Sequence, residues 1–361
     1  MRVALFKHNL VHANNAKKGH NYLCPFCHHL VIINRSNSGY RYFSHYRHVF
    51  NCGGESSEHL MGKIQIVRFL GVRLYNIKIE KYLSPIHQWP DILVNNLMVI
   101  EFQCSPISND ALIARNRGYH RMNLKFWWIL GSPYYYRRLG YRYLRKFMRY
   151  SSLVGFYLTF WLVKFNCLEL RYQFREIHGK ISYRSKQVRT FKELYDFMSN
   201  NHLRINRART NVKADLELIQ KKLFHQDIDT VKLQLKLSQY NYTVDSCPLI
   251  CHESLVGPPI FKGKELLWRI WILLLLRPGR SLRTIYYQAN YKLKFPLGFI
   301  QVRRIDDFYR QAFNNYIDLL VSRKYLMVHN NYVVSWQMPI WFRSFYDKKC
   351  FLNKNYFKGG G

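Results

Sequence analysis

The hydrophobic pattern is clearest between Trp89 and Gln103, where two short apolar runs flank an Asn-Asn pair. Apolar runs bounded by turn residues predict buried strands, and Asn tolerates positive φ, so this stretch predicts a β-hairpin. Asp91 opens the first strand, and Glu101 closes the second with Gln103 on the same face, because side chains alternate along a strand. A two-residue turn would place Asp91 opposite Ile100, whereas a three-residue loop or a bulge would place it opposite Glu101.

The second arrangement brings two carboxylates together at one end of an otherwise apolar hairpin. Two close carboxylates repel each other unless a cation lies between them. A hard divalent ion such as Mg²⁺ or Mn²⁺ prefers a few carboxylates and several waters. Asp91 and Glu101 are therefore candidate metal ligands and catalytic residues, and Gln103 is a candidate for orienting water. Solvated acids at the end of an ordinary hairpin are the alternative.

A helical pattern precedes the hairpin. Apolar residues recur at helical spacing between positions 60 and 70, after a serine pair that can cap a helix. Glu55, His59 and Lys63 are four positions apart and line one side of this helix, with Glu58 beside them. If that side faces the two acids, we expect Glu58 to be a further metal or water contact, His59 a base or phosphate contact, and Lys63 a stabiliser of charge. A solvated helix face is the alternative.

The same hydrophobic and capping patterns predict further strands and a second helix. Residues 71–80 and 125–131 predict strands, and the polar run that begins at Ser108 predicts a helix start. Arg115 and Tyr119 lie four positions apart, on one face of that helix. An arginine there suits bidentate contact with a phosphate, and a routine surface helix is the alternative.

Charge then narrows the class of partner. The chain has 56 Lys and Arg against 21 Asp and Glu, a net charge of +35, and 17% of its residues are aromatic. Such an excess indicates a polyanion, with nucleic acid favoured over an anionic membrane surface. Residues 134–150 contain no acid and alternate Arg with Tyr, which favours contact with DNA over a solvated linker. The basic candidates in this stretch are Arg137, Arg138, Arg142, Arg145 and Lys146.

A second candidate site lies near the N-terminus. Cys24 and Cys27 form a C-x2-C knuckle, and His45 and Cys52 follow about twenty residues later. This spacing predicts tetrahedral zinc with four protein ligands, which is a structural rather than a catalytic arrangement. His48 is the alternative to Cys52 as the fourth ligand.

No apolar run is long enough to span a bilayer, no signal peptide is visible, and the cysteines do not form a disulfide pattern, so we expect a cytoplasmic protein. Towards the C-terminus, helices are expected over 191–238, 264–276, 299–311 and 315–324. Short strands are expected over 325–329 and 332–336. Helices followed by a small hairpin predict a winged-helix-like shape, with Arg303 and Arg304 as candidate DNA contacts.

The order of these motifs resembles a known family. Pro90-Asp91 followed by Glu101-x-Gln103 is similar to the PD-(D/E)xK nuclease superfamily, with Gln103 in the position of its lysine. The full motif order resembles the competence protein CoiA family, in which Glu-x-Gln is usual, and covers roughly residues 1–135. The matching motifs are Cys24-x2-Cys27, Phe43-x-His45, Glu55-Ser56-x2-His59-x3-Lys63, Pro90-Asp91, Glu101-Phe102-Gln103-x-Ser105 and Arg115-x3-Tyr119. The resemblance implies a factor of bacterial natural transformation that acts on incoming DNA.

The expected fold is therefore α/β (α+β), in three parts. A zinc-binding β segment covers residues 1–54. A PD-(D/E)xK restriction-endonuclease-like core covers 55–200, with the basic-aromatic insert at 134–150. A mainly helical, winged-helix-like domain covers 201–361. The expected function is that of a metal-dependent nuclease on single-stranded or branched DNA, working with recombination proteins. A DNA-binding scaffold without turnover is the main alternative; an RNA-binding protein fits the charge but not the motif order.

Overall fold

The structure is a computed structural model that describes residues 3–7, 9–25, 28–35, 41–46, 57–71, 75–137, 140–200, 211–253 and 256–356. Its contacts divide the chain into two compact units. Unit 1 comprises residues 1–138, 158–171 and 185–201, and unit 2 comprises 139–157, 172–184 and 202–361. None of the helices in the described ranges has both the length and the apolar composition that crossing a bilayer requires.

The strands of the described residues are numbered in chain order. They are β1 (Val3–Phe6), β2 (Asn9–His12), β3 (Tyr22–Leu23), β4 (Leu30–Arg35), β5 (Arg41–His45), β6 (Ile77–Ile79), β7 (Ile92–Val94), β8 (Met98–Gln103), β9 (Lys125–Leu130), β10 (Arg149–Ser151), β11 (Gly155–Leu162), β12 (Cys167–Ile177), β13 (Lys180–Val188), β14 (Val256–Gly257), β15 (Leu326–His329) and β16 (Tyr332–Trp336).

The α-helices are numbered in the same way. They are α1 (Ser57–Leu70), α2 (Asn109–Arg121), α3 (Ser132–Tyr135), α4 (Tyr141–Phe147), α5 (Phe191–Asn200), α6 (Val212–Phe224), α7 (Ile228–Ser238), α8 (Glu265–Leu275), α9 (Leu282–Lys292), α10 (Ile305–Ser322) and α11 (Phe345–Tyr356).

Unit 1 begins with an antiparallel sheet in the order β2-β1-β3-β4-β5. Its core is built from small and aromatic side chains, among them Ala4, Tyr22, Val31 and Phe43, all of which are buried. Strands β4 and β5 pair antiparallel along their length. The mixture of sheets and helices confirms the expected α+β class.

The predicted hairpin lies in the second sheet of unit 1, next to the edge strand β6. Strands β6, β7 and β8 are antiparallel neighbours, and β9 then pairs with β8 in parallel. Within unit 1, β11 follows β9 in parallel and β12 returns antiparallel to β11. The strand predicted over residues 71–80 is shorter than expected, because only Ile77–Ile79 pairs in the described part of it.

Two helices cover this sheet next to the hairpin. Helix α1 packs on β8 so closely that a Cβ added to Gly62 would lie 2.1 Å from Cε1 of Phe102. Helix α2 starts at the predicted place, where the Ser108 hydroxyl accepts a hydrogen bond from the Ala111 amide. The two helices hold the side chains of the candidate site against the ends of β7 and β8.

Unit 2 is mainly helical, as expected, but the helices differ in detail. The two helices predicted over 299–311 and 315–324 are one continuous helix, α10. Asn314 and Asn315 are exposed, and Phe313 and Tyr316 on the other side of the helix continue the buried face through this point. Helices α9 and α11 were not predicted, whereas the strands β15 and β16 are confirmed.

Candidate active site

The register of the hairpin places Asp91 opposite Glu101. Val94 pairs with Met98 and Ile92 with Ile100, so the loop has three residues, 95–97. Asn95 and Asn96 both have positive φ, and the backbone oxygen of the third loop residue accepts a hydrogen bond from the Lys125 amide. The sequence had left a two-residue turn open, and the structure selects the three-residue loop.

Asp91 is held by groups on α1 and β8. Its Oδ2 accepts a hydrogen bond from the backbone amide of Phe102 at 2.7 Å and lies 3.2 Å from Nε2 of His59. The His59 ring stacks on the Phe102 ring, with centroids 5.6 Å apart. Burial alone would raise the pKa of Asp91, but His59, Lys63 and the Phe102 amide together hold it below its ordinary value. Asp91 is thus kept ionised.

Glu101 is held from α2 by the predicted Arg-x3-Tyr pair. Arg115 Nη2 lies 2.8 Å from Glu101 Oε1, and the Tyr119 hydroxyl donates to the same oxygen. Burial raises the pKa of Glu101 to about 7; the negative charge of Asp91 also raises it, against the opposing effects of Arg115 and Tyr119. The negative charge of Asp91 therefore disfavours ionisation of Glu101.

This arrangement changes the interpretation of Arg115 and Tyr119. Tyr119 has no exposed surface, so in this conformation it contacts Glu101 and not a ligand. Arg115 also donates to the backbone oxygen of Trp89 at 2.8 Å, which ties α2 to the start of the hairpin. Its side chain keeps 34% of its surface exposed. Arg115 remains able to meet a phosphate, whereas Tyr119 is a positioning residue.

Lys63 and Glu58 occupy the same helix but have different partners. Lys63 is fully buried and forms an ion pair with Glu80, and its charge lowers the pKa of Asp91. Glu58 Oε1 accepts a hydrogen bond from the backbone amide of Ser132 at 2.7 Å, at the turn after β9. A buried ammonium group does not touch a phosphate, so Lys63 acts on the site through Asp91.

Glu80 is a site residue that the sequence reasoning missed. It ends the short strand β6, its φ is +52°, and its amide donates to the backbone oxygen of Asp91 at 3.1 Å. No motif marks it. The available signal was a lysine on the buried side of α1, because a buried ammonium group needs a carboxylate partner.

Gln103 lies at the end of β8, on the same face as Glu101. Its Nε2 donates to the backbone oxygen of Ser105 at 2.6 Å, and the same oxygen accepts a hydrogen bond from the Tyr134 hydroxyl. The amide is therefore fixed in orientation through its nitrogen. This leaves its oxygen as the group that can orient a water.

The carboxylates fit a divalent ion that keeps most of its waters. Within the described ranges, no three His, Cys, Asp or Glu side chains form a ligand set for a metal. Hydrogen bonds from the described residues end on Oδ2 of Asp91 and Oε1 of Glu101. Asp91 and Glu101 would hold such a cation. Two carboxylate ligands completed by water are an arrangement that Mg²⁺ accepts.

The basic candidates of 134–150 are placed unequally. Arg137 and Arg142 are exposed, Arg138 lies outside the described residues, and Arg145 is exposed with its Nε donating to the Gly298 backbone oxygen at 2.9 Å. The expectation that Lys146 is a basic surface contact is wrong, because its side chain is buried and burial lowers the pKa of its ammonium group. It is not available as a surface contact in this conformation.

The predicted zinc ligands are only partly described. Cys24 follows β3 and His45 ends β5, and both strands pair with the start of β4, through Leu23↔Leu30 and Val31↔His45. The two side chains thus come from the same end of the sheet. Cys27 and Cys52, with the alternative ligand His48, lie outside the described residues.

The geometry defines a mixed-sheet domain with two carboxylates at adjoining strand ends. Comparison with known proteins shows which family of domains it resembles. Residues 55–202 match the family model described as "Competence protein CoiA, nuclease-like domain". This segment is therefore similar to the nuclease-like domain of the competence protein CoiA family, which confirms the resemblance seen in the motif order.

One relative is the competence protein CoiA of Bacillus subtilis (strain 168), which is 25% identical over 124 residues. The alignment covers 33% of this chain and 33% of that protein. No solved structure was found to match the chain.

Proposed function

We propose that this protein is a Mg²⁺- or Mn²⁺-dependent nuclease that hydrolyses phosphodiester bonds in DNA recombination intermediates during natural transformation. The observation that carries the proposal is the placement of the partly buried Asp91 opposite the buried Glu101, close enough for the charge of Asp91 to raise the pKa of Glu101. The names of the matched domain and relative support the competence setting. We further propose that it acts in the cytoplasm, with recombination proteins as partners.

Bound between the carboxylates, the metal ion would lower the pKa of a water and neutralise charge on the phosphate. The chain's own residues prepare that site. His59 and the Phe102 amide keep Asp91 ionised and oriented. Tyr119 and Arg115 fix Glu101. Gln103 orients the attacking water through its side-chain oxygen.

DNA contact is supported by charge and by exposed basic residues. The net charge of +35 provides attraction to the phosphate backbone. Arg137, Arg142 and Arg145 are the exposed basic groups that we assign to it within the stretch of interleaved Arg and Tyr. Zinc bound by Cys24, Cys27, His45 and Cys52 is proposed as a structural ion of the N-terminal sheet.

We also propose a winged-helix arrangement within unit 2. Helix α8 is followed by a short extended segment, in which Ser281 bridges to Tyr332, and then by α9, α10 and the hairpin of β15 and β16. The order of three helices and a hairpin, with an extended segment after the first helix, is that of a winged helix.

The test is cleavage of branched, nicked, single-stranded and duplex DNA by the purified protein with Mn²⁺. Asp91→Asn and Glu101→Gln should each abolish cutting. Glu169→Gln is the matched control, because Glu169 is also buried, paired with an arginine and bonded to a tyrosine hydroxyl. Mn²⁺ binding, followed by electron paramagnetic resonance, gives a readout that does not depend on turnover. Unchanged cutting by the Asp91 and Glu101 variants would refute the assignment.

A second candidate function, a DNA-binding scaffold without turnover, is favoured by one contact. Arg115 already places a positive charge on Glu101, which partly fills the role of a cation there. The scaffold hypothesis predicts salt-sensitive DNA binding that is unchanged in Asp91→Asn. It also predicts no cleavage with Mg²⁺ or Mn²⁺ and no Mn²⁺ binding by electron paramagnetic resonance. Metal-dependent cutting would therefore exclude it.

A further inference from the structure

Helix α9 of unit 2 has one face fixed against the core. The Ser281 hydroxyl caps it by accepting a hydrogen bond from the Thr284 amide at 3.2 Å. On the inner face, Asn290 Oδ1 accepts a hydrogen bond from the Trp268 indole at 2.7 Å, and the Tyr286 hydroxyl donates to Asp306 at 2.5 Å. These contacts determine which residues point outward.

The outward face of α9 is basic and aromatic. Arg283, Tyr287 and Tyr291 follow one another at intervals of four, so they form one stripe along the helix. Tyr287 is 46% exposed and Tyr291 is 80% exposed. The helix contains no Asp or Glu at all. A face of this composition is poorly explained by solubility alone.

Cationic groups surround the two rings. The guanidinium of Arg283 lies 5.9 Å from the centroid of the Tyr287 ring, and that of Arg310 lies 5.6 Å from it. Tyr287 and Tyr291 also line a surface depression of about 510 Å³ together with Arg280, Gln288 and Lys292. Arg310 is partly neutralised by its ion pair with Asp306, at 2.7 Å. The remaining cations still leave this surface strongly positive.

The neighbouring helix α10 provides a contrast within the same unit. It carries Asp306, Asp307 and Asp318 against a single arginine, Arg310, and three of its four aromatic residues, Tyr309, Phe313 and Tyr316, are buried. A polyanion is repelled by such a surface and attracted by that of α9. Charge therefore selects α9, and not α10, as the contact helix.

Exposed rings also select the form of the nucleic acid. Aromatic side chains stack on the faces of bases, which are free in a single strand and covered by neighbouring pairs in a duplex. We propose that the outward face of α9 binds single-stranded nucleic acid, with Tyr287 and Tyr291 stacking on bases and Arg280, Arg283 and Lys292 contacting phosphates. The proposal rests on the nucleic-acid part of the proposed function and not on hydrolysis.

The test measures binding by the full chain without added Mg²⁺ or Mn²⁺, so that no cleavage intervenes. Fluorescence anisotropy compares labelled oligothymidylate, an abasic strand of the same length, a duplex and oligouridylate. Tyr287→Ala/Tyr291→Ala should weaken oligothymidylate binding roughly 5- to 160-fold for each stack lost, corresponding to about 1–3 kcal/mol. It should leave binding of the abasic strand unchanged, because that strand has phosphates but no bases.

Two further variants complete the design. Tyr240→Ala/Tyr346→Ala is matched by exposure, at 46% and 74%, and should bind as the wild type does. Arg283→Ala/Lys292→Ala should weaken binding to both strands and reduce the slope of log affinity against log salt by about 1.4, or ~0.7 per phosphate contact. Circular dichroism melts confirm that each variant is folded.

Each outcome has a distinct meaning. Equal oligothymidylate affinity for the wild type and Tyr287→Ala/Tyr291→Ala would overturn the α9 assignment while leaving the nuclease proposal intact. Absence of binding by the wild type to any strand would instead remove the nucleic-acid part of the proposed function. Tighter binding to duplex than to oligothymidylate would overturn the single-strand preference.

Discussion

Replacing Gly62 with alanine should disturb the candidate site through packing alone. The new Cβ would lie 2.1 Å from Cε1 of Phe102 and 2.7 Å from Cζ. Carbon atoms in contact need about 3.5 Å, so α1 or the ring must move by roughly 1.4 Å (3.5 − 2.1). Overpacking costs about 1–3 kcal/mol, and the higher helix propensity of alanine returns up to ~1 kcal/mol. We expect a net loss of about 1–2 kcal/mol in the free energy of unfolding.

The displacement also reaches the chemistry, because His59 lies one turn before Gly62 on α1 and contacts Asp91 at 3.2 Å. A shift of this size in a positioned group lowers activity by about 10²-fold. Urea denaturation gives the stability, and Mn²⁺-dependent DNA cleavage gives the activity.

A double-mutant cycle decides whether the clash is the cause. Phe102→Val removes the ring atoms nearest to the new Cβ, so Gly62→Ala/Phe102→Val should be more stable than the sum of the single variants predicts. Gly298→Ala is the control, since nothing lies within 4 Å of its Cβ position, and it should change stability by less than about 0.5 kcal/mol. Additivity in the cycle, or a fully stable Gly62→Ala variant, would refute the reasoning.

Further predictions concern charge and register. In metal-free protein, the pKa of Glu101 rises to about 7 on folding, so the folded chain holds this proton more tightly than the unfolded chain. Glu101 should therefore contribute to the melting temperature at low pH, and this contribution should fall as the pH rises to about 7. Thermal melts across this range should show the fall in the wild type and not in Glu101→Gln. Glu80→Gln removes the carboxylate partner of the buried Lys63 and should cost about 3–5 kcal/mol by urea denaturation, which Glu80→Gln/Lys63→Met should partly restore; a cost below about 1 kcal/mol would contradict the ion pair. Deleting Leu97 shortens the loop to two residues and takes Asp91 out of register with Glu101, so Mn²⁺ binding should be lost while the chain still folds; retained binding would show that the register is not what builds the site.

The sequence alone determined the type of several local elements and where they begin. The period-2 and helical patterns predicted the hairpin, α1, α2 and the paired strands of β15 and β16, because these signals depend on neighbours within one or two turns of chain. The Ser108 cap is the clearest case, since its hydrogen-bond partner lies three residues away. The motif order was likewise sufficient to identify the nuclease-like segment.

The tertiary structure decided the register and the partners of the charged groups. The sequence left two lengths possible for the loop between β7 and β8. The observed length is set by a contact from outside the hairpin, in which the Lys125 amide donates a hydrogen bond to the Leu97 backbone oxygen. The partner of Lys63 is Glu80, and that of Glu101 is Arg115 on a different element. Composition shows that such charges exist, but only packing determines which of them are buried. A buried charge must be paired, because the cost of removing it from water arises only when the surrounding elements cover it.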